Sequence, residues 1–449
     1  MSLMKGVSGI RGVVGQTLTE ELAVNAGRAF AAYLGGRGKV VIGRDSRESG
    51  PLFQAAVMKG LTTGGIDVVD LGLATTPTVG VMVTELAADG GVVITASHNP
   101  IEYNGIKFLT RRGAAPDAAT AQAILALLDD APAQPPVEGR VGTITPRDGA
   151  DEHHVARVLD TVELPAIREK RFRVFLDSVN GVGGHVGRAL LDALGCHVQH
   201  QNAEPTGAFP RSPEPTQENL VAVSRKVGEA GVAVGFVQDP DADRLAIIDE
   251  NGRYIGEEYT LALAARRIVS LNPGPIVVNL STSRMVDDIA AARAGVRVVR
   301  TPVGEANVVS KMAQVDAVVG GEGNGGVIDP RVGAVRDSLV AMALTLDLMA
   351  AECRPLSAVV DEMPRYVMVK QKIACDRDRI AAVIDAVRRG FADQDCTDVD
   401  GIRVDWPDRW IHVRASNTEP ILRVIAEAGE LSEAEALVAR VRSLLDGGG

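Results

Sequence analysis

Asp239, Asp241 and Asp243 stand at alternate positions in "DPDADR", with Arg244 next in line. Carboxylates this close repel one another and are costly to hold together unless a cation sits among them. From an extended loop, two-residue spacing lets all three reach one ion. An oxygen-only donor set favours Mg2+ or a similar hard cation, which commonly completes its shell with phosphate oxygens. An EF-hand reading competes, because the three aspartates and Glu250 fall on positions 1, 3, 5 and 12 of such a loop. Its sixth position requires glycine and is Arg244 here, and the flanks "VAVGFVQ" and "LAIID" read as strands. A solvated acidic turn is the plainer alternative.

Four other stretches could do chemistry. In "GVVITASHNP" (91–100) a buried apolar run breaks off into Ser97, His98, Asn99 and Pro100, which makes either a turn or an exposed nucleophile. "RASNTEP" (414–420) offers Arg414, Ser416, Asn417 and Thr418, with Arg423 beyond, and such groups suit a phosphate as well as a hairpin turn. "GEGNGG" (321–326) sets Glu322 and Asn324 between glycines that allow close approach, as in sugar recognition, though a glycine loop of no function fits equally. "VNGVGGHVG" places Gly181, Gly183 and Gly187 after a strand, which invites a dinucleotide reading. That motif needs an acidic residue about 20 positions on, at a strand end. Glu204 lies instead in a Pro-rich loop, so a tight strand-to-helix turn is the better use of these glycines.

The elements that must carry these loops repeat. "KVVIGRDSR", "DVVDLGLATT" and "GVVITASHNP" alternate with helical stretches. "FRVFLDSVNG", "CHVQHQN" and "VAVGFVQDPDADR" do the same, and so do "PIVVNLSTS", "VRVVRTPVG" and "DAVVGGEGNGG". Each unit reads strand, helix, strand, helix, strand, with apolar runs suited to burial on both faces. A threefold repeat is a stronger signal than any single motif. Ligands in open α/β sheets gather beyond the carboxyl ends of the strands. The expected fold is three similar α/β domains with mixed sheets, plus a smaller C-terminal α+β domain, around a central cleft. The expected bounds are 1–145 for the Ser97 domain, 146–250 for the aspartate loop, 251–366 for the Glu322 loop and 367–449 for the last domain. The Pro-rich 129–140 reads as a linker, and helices are expected over 184–194, 377–391 and 433–445.

Composition narrows the partners. The chain has 449 residues and a net charge of −11, which argues against a nucleic-acid or anionic-membrane surface. No apolar run approaches the roughly 20 residues that span a bilayer, and the first residues hold no apolar signal core. Four cysteines form no CxxC pair, as expected of incidental thiols in a reducing cytoplasm. Met4 is a candidate original start, with the residues before it an expression remnant. Nothing in the sequence fixes an oligomeric state.

Taken in order, "SGIRG" (8–12), "TASHNP", "DPDADR", "GEGNGG" and "RASNTEP" resemble the α-D-phosphohexomutase superfamily along essentially the whole chain. The resemblance implies that Ser97 carries a phosphate and that hexose 6-phosphate and hexose 1-phosphate interconvert through a hexose 1,6-bisphosphate. It implies that Asp239, Asp241 and Asp243 hold Mg2+ together with a phosphoserine oxygen of Ser97. Lys107 and His98 match positions of acid–base work, and Arg11 matches a contact to the transferring phosphate. Arg244 points to the same site, Glu322 and Asn324 to the sugar, and Arg414, Ser416, Asn417, Thr418 and Arg423 to the non-reacting phosphate.

Two departures bear on the sugar. The better-known phosphomannomutase/phosphoglucomutase loop reads Gly-Glu-Met-Ser-Gly-His, whereas here Asn324 replaces the serine and Gly326 the histidine. Ser281 stands near the place of a lysine in that branch. "TPVGEANV" (301–308) is instead similar to phosphoglucosamine mutases. Glucosamine phosphate is therefore the expected substrate, with mannose and glucose phosphates the alternatives and a roomy pocket expected at Gly326. A nicotinamide-dependent oxidoreductase and a non-catalytic phosphosugar-binding protein are the readings from other classes.

Overall fold

The computed structural model describes residues 3–7, 9–130, 140–376, 378–416 and 421–446. Asn417, Thr418, most of the 129–140 linker and the residues before Leu3 lie outside the described residues.

The repeat in sequence becomes a repeated sheet. In the first, Lys39–Arg44 lies between Asp67–Leu73 and Gly90–Ile94, all parallel, and Tyr103–Thr110 runs antiparallel beside Gly90–Ile94. In the second, Arg173–Asp177 lies between His197–Gln201 and Val234–Gln238, with Leu245–Asp249 antiparallel outside. In the third, Pro275–Asn279 lies between Arg297–Thr301 and Val319–Glu322, with Gly326–Ile328 antiparallel outside. Within each unit the spatial order of strands is fourth, third, first, second. The antiparallel fourth strand is what makes each sheet mixed. Gly9–Val13, Met4–Gly6 and Ile144–Pro146 extend the first sheet to seven strands.

This topology places the polar loops. The connection from third to fourth strand leaves the carboxyl end of a buried parallel strand, where ligands of such sheets gather. It is 95–102 in the first sheet, 239–244 in the second and 323–325 in the third. The helices expected over 184–194 and 377–391 form as Gly183–Ala193 and Ile380–Gly390, and the last as Leu431–Asp446.

One apolar core runs through the second and third sheets, joining Val174, Leu176 and Phe236 to Leu261, Ile276 and Val278. The helix Ser338–Glu352 is its axis. Nearly every residue of it through Ala350 is buried, as a helix apolar all round requires. Its buried charged member, Asp347, is paired with Arg267 Nε at 2.7 Å and Nη2 at 3.0 Å. The C-terminal domain is a five-stranded antiparallel sheet in the order Val367–Ala374, Ile421–Ala428, Trp410–Ala415, Ile402–Asp405, Asp395–Thr397. Its two helices close a core of its own around Val387, Phe391, Val413 and Val424. Among the described residues no helix is long and apolar enough to cross a membrane.

Candidate active site

Ser97 follows the buried strand Gly90–Ile94 by a sharp turn. Its φ is +51°, in the left-handed region that costs a non-glycine residue roughly 1–2 kcal/mol. The turn is held from below. Thr95 Oγ1 accepts from Ser97 N at 2.8 Å and donates to Asp45 Oδ2 at 2.6 Å. Arg47, whose side chain is fully buried, bonds Asp45 through Nε at 3.1 Å. Its two terminal nitrogens donate to the carbonyls of Ser97, Asn99, Pro100 and Tyr103 at 2.6–2.9 Å. One guanidinium thus ties the whole loop to the end of the neighbouring strand.

Across the domain boundary, Ser97 Oγ donates to Asp239 Oδ2 at 3.0 Å. Asp239, Asp241 and Asp243 are all fully buried, and each offers an oxygen within 4.8 Å of the others. Asp241 Oδ2 accepts from Thr76 Oγ1 and Lys107 Nζ, both at 2.6 Å. Asp243 Oδ2 accepts from Arg336 Nη2 at 2.6 Å and from Lys107 Nζ at 3.4 Å. Asp241 Oδ1 and Asp243 Oδ1 are buried without a hydrogen bond, the latter 3.8 Å from Arg244 Nε. An orphaned carboxylate oxygen is costly, and two of them beside a third carboxylate form a hard-donor set that fits a divalent cation. Glu250, which an EF-hand would need, instead accepts from Ser357 N at 3.2 Å, and the flanks are paired strands, so that reading is excluded.

Charge is unevenly shared here. Burial, with Asp241 and Asp243 nearby, pushes the Asp239 carboxyl well above its ordinary pKa. Burial would also raise Asp243, but Arg336, Lys107 and Arg244 outweigh it and hold the group below the usual carboxylate range. Burial pulls Lys107 down, yet Asp241 and Asp243 overcome it, so the ammonium is stabilised. His98 lies within 3.3 Å of Ser97 Oγ through Nδ1. Burial, with Arg244 and Arg11 close by, pushes its pKa well below 6.5, so the ring is neutral at neutral pH. Arg11 Nη1 donates to Asn99 Oδ1 at 3.1 Å, and Arg244 N to Asp239 Oδ1 at 3.1 Å.

The third loop brings Glu322 to the same cluster. Its Oε1 accepts from Asn279 Nδ2 at 2.9 Å and Gly304 N at 3.2 Å, and its Oε2 from Arg336 Nη1 at 2.8 Å. Asn324 Oδ1 is buried without a partner. The open space expected at Gly326 is not there. A Cβ at that position would lie 2.2 Å from Arg336 Cδ, because the arginine stem fills the volume a side chain would need.

In the C-terminal domain, Arg414 and Arg423 face each other across adjacent strands, in register with Lys372 on the next. Arg414 Nε donates to Asp400 Oδ2 at 3.0 Å, and that oxygen also accepts from Val303 N at 2.9 Å. The 301–304 segment therefore bridges the C-terminal sheet and Glu322. Ser416 is buried at the strand end, bonding Ile421 O through its backbone N–H at 3.0 Å.

The glycines of 181–187 serve close packing. A Cβ at Gly181 would meet Pro240 O at 2.7 Å, one at Gly183 would meet Ala242 Cβ at 2.7 Å, and one at Gly184 would meet Ala203 O at 2.3 Å. They let the helix pack against the aspartate loop. Residues that sequence reasoning missed are Asp45, Arg47, Thr76, Glu305 and Arg336. The "GRDSR" run after a buried strand carried a signal for the first two, since charges there need partners.

All four domains match models of one family. Residues 2–134 match phosphoglucomutase/phosphomannomutase alpha/beta/alpha domain I, 152–252 domain II, 256–366 domain III, and 367–444 the C-terminal domain. The chain belongs to the phosphoglucomutase/phosphomannomutase family and is a phosphohexomutase, an isomerase of the phosphotransferase kind. A probable phosphoglucosamine mutase of Methanopyrus kandleri is 39% identical over 436 residues, covering 96% of this chain and 95% of its own. A phosphoglucomutase/phosphomannomutase of Thermococcus kodakarensis is 37% identical over 438 residues, 95% of each chain. The solved structure of a phosphoglucomutase/phosphomannomutase family protein from Burkholderia thailandensis superposes with a TM-score of 0.87 at 29% identity, covering 99% of this chain and 98% of that one.

Proposed function

We propose that the chain interconverts glucosamine 6-phosphate and glucosamine 1-phosphate through a phosphoserine at Ser97. The observation that carries the mechanism is the contact of Ser97 Oγ with Asp239 across the domain boundary, at 3.0 Å, beside two orphaned carboxylate oxygens. Asp239, Asp241 and Asp243 would hold Mg2+, which when bound neutralises charge on the transferring phosphoryl group.

In the first half-reaction the bond from phosphorus to Ser97 Oγ breaks as a bond forms to the free sugar hydroxyl. That hydroxyl gives up its proton to a base, and His98, neutral and at the loop, suits the role. The product is the 1,6-bisphosphate. Lys107 would give a proton to Ser97 Oγ as it leaves and take it back when Ser97 attacks again; the bisphosphate turns over in the cleft and returns its other phosphate to Ser97 as the proton held by His98 passes to the leaving sugar oxygen. Arg11 and Arg244 steady the transferring group. Arg414, Ser416, Arg423 and, in the same motif, Asn417 and Thr418 would grip the far phosphate. Asn324 offers a buried oxygen that wants a donor, and a C2 ammonium supplies three.

The experiment is kcat/KM for glucosamine, glucose and mannose phosphates in parallel, with catalytic bisphosphate present. Glucosamine phosphate is expected to lead. A preference for glucose or mannose phosphate above about tenfold, roughly 1.4 kcal/mol in the transition state, would reject the sugar assignment and leave the mutase reaction standing.

A further inference from the structure

Arg336 joins two loops that the proposed reaction uses for different purposes. Its Nη2 donates to Asp243 at 2.6 Å and its Nη1 to Glu322 at 2.8 Å. Its backbone N–H bonds Glu305 Oε1 at 2.9 Å, and its Nε lies 3.5 Å from Glu305 Oε2. Only 10% of the side chain is exposed. Two buried carboxylates and the part-buried Glu305 therefore share one guanidinium, whose rigid fork fixes two bond directions at once as a lysine cannot. The stem matters equally, because it lies where a side chain at 326 would have to go.

We propose that Arg336 is a positioning residue that locks Asp243 and Glu322 into one unit, its stem taking the place of a side chain at position 326, so that the ion site and the sugar loop respond together. What the two loops bind rests on the mutase reading; the lock itself rests on the contacts. With Asp243 Oδ2 committed to Arg336, Oδ1, which makes no hydrogen bond, is the atom left for a cation. A carboxylate offers about four acceptor sites, and Glu322 already uses three, so it has room for one sugar hydroxyl rather than a vicinal pair.

The test is thermal unfolding, with calorimetric titration by Mg2+ and by glucose 1,6-bisphosphate. It compares the wild type with Arg336→Lys, Gly326→Ala and Arg267→Lys, the last a control for a buried ion pair elsewhere in the same core. Arg336→Lys and Gly326→Ala should each weaken both ligands by roughly tenfold or more, the size of one charge-assisted hydrogen bond. Arg267→Lys should lower the Tm and leave both affinities within about twofold. If Arg336→Lys behaves like Arg267→Lys, or alters one ligand alone, the lock is wrong. A further variant isolates the stem. In Arg336→Ala, adding Gly326→Ala should cost much less Tm than it does in the wild type, and an equal cost overturns that part. Should Arg336→Ala fail to fold, the Arg336→Lys titrations still decide. Wild-type protein that binds Mg2+ but neither binds the bisphosphate nor turns over sugar phosphates would refute the mutase reading, while the Mg2+ titrations of Arg336→Lys and Gly326→Ala would still judge the lock.

Discussion

The three repeated domains and the C-terminal domain hold their polar loops in different ways. In the first three, each loop leaves a parallel strand buried on both faces, and the second and third domains share one continuous apolar core. The C-terminal domain has a separate core and meets the third through directional polar contacts. Ser281 Oγ lies 2.9 Å from His412 Nδ1, Glu427 Oε1 accepts from Arg284 N at 2.9 Å, and Asp400 accepts from Val303 N. Apolar burial is large and non-directional, whereas a polar contact trades nearly evenly with water. The domains that carry the aspartate and Glu322 loops are thus joined by apolar burial, and the domain proposed to hold the distant phosphate is joined by contacts that exchange more readily.

That contrast is sharpest at Ser97. Ser97→Ala should lower kcat by at least about 10^4-fold, as loss of a nucleophile does, with little change in Tm. A variant retaining a tenth of wild-type kcat would erase the distinction between the two regions.

Stability should separate them next. Arg47→Met removes the cation that satisfies four loop carbonyls and leaves Asp45 buried and uncompensated, at a cost of about 3–5 kcal/mol in urea unfolding. A loss under 1 kcal/mol would mean that the loop is held by something else.

The polar junction should instead show itself through pH. Burial pushes His412 down to about 4, with Asp400, Arg403, Arg414 and Ser281 around it. Its folded pKa lies below the ordinary 6.5, so between the two values the unfolded chain binds the extra proton. The contribution is fully present above pH 6.5 and is lost as pH falls toward 4, amounting to about 3 kcal/mol. His412→Asn should remove that part of the slope in pH-dependent unfolding, and an unchanged slope would assign it elsewhere.

The smallest effect is expected at the proposed far-phosphate grip. Arg423→Gln should raise KM by roughly 10–100-fold and change kcat by less than about tenfold, since that contact holds ground state and transition state alike. A collapse of kcat matching Ser97→Ala would place Arg423 in the transfer step.

Much of this was legible in the sequence because each apolar strand run ends abruptly in a polar motif, and a buried run can end that way only where the chain turns outward. The succession of strands and helices along the chain and the three loops followed from that pattern. Gly326–Ile328 is too short for any period to show, and the fourth strand of the third unit was invisible for that reason. Arg336 carried no local signal, since its partner Asp243 is 93 residues away and only the packed structure brings them together. The room expected at Gly326 failed on the same residue: a missing side chain reads as space until a distant stem is seen to occupy it.

The proposed reaction turns on Ser97 carrying the transferred phosphate. Unphosphorylated protein incubated with glucose 1,6-bisphosphate and quenched over time, then subjected to intact-mass analysis and peptide mapping, tests it directly. One phosphate is expected, on Ser97, that appears and is handed on to added hexose monophosphate at least as fast as kcat. Steady turnover with Ser97 never labelled, or with the phosphate on another residue, would contradict it.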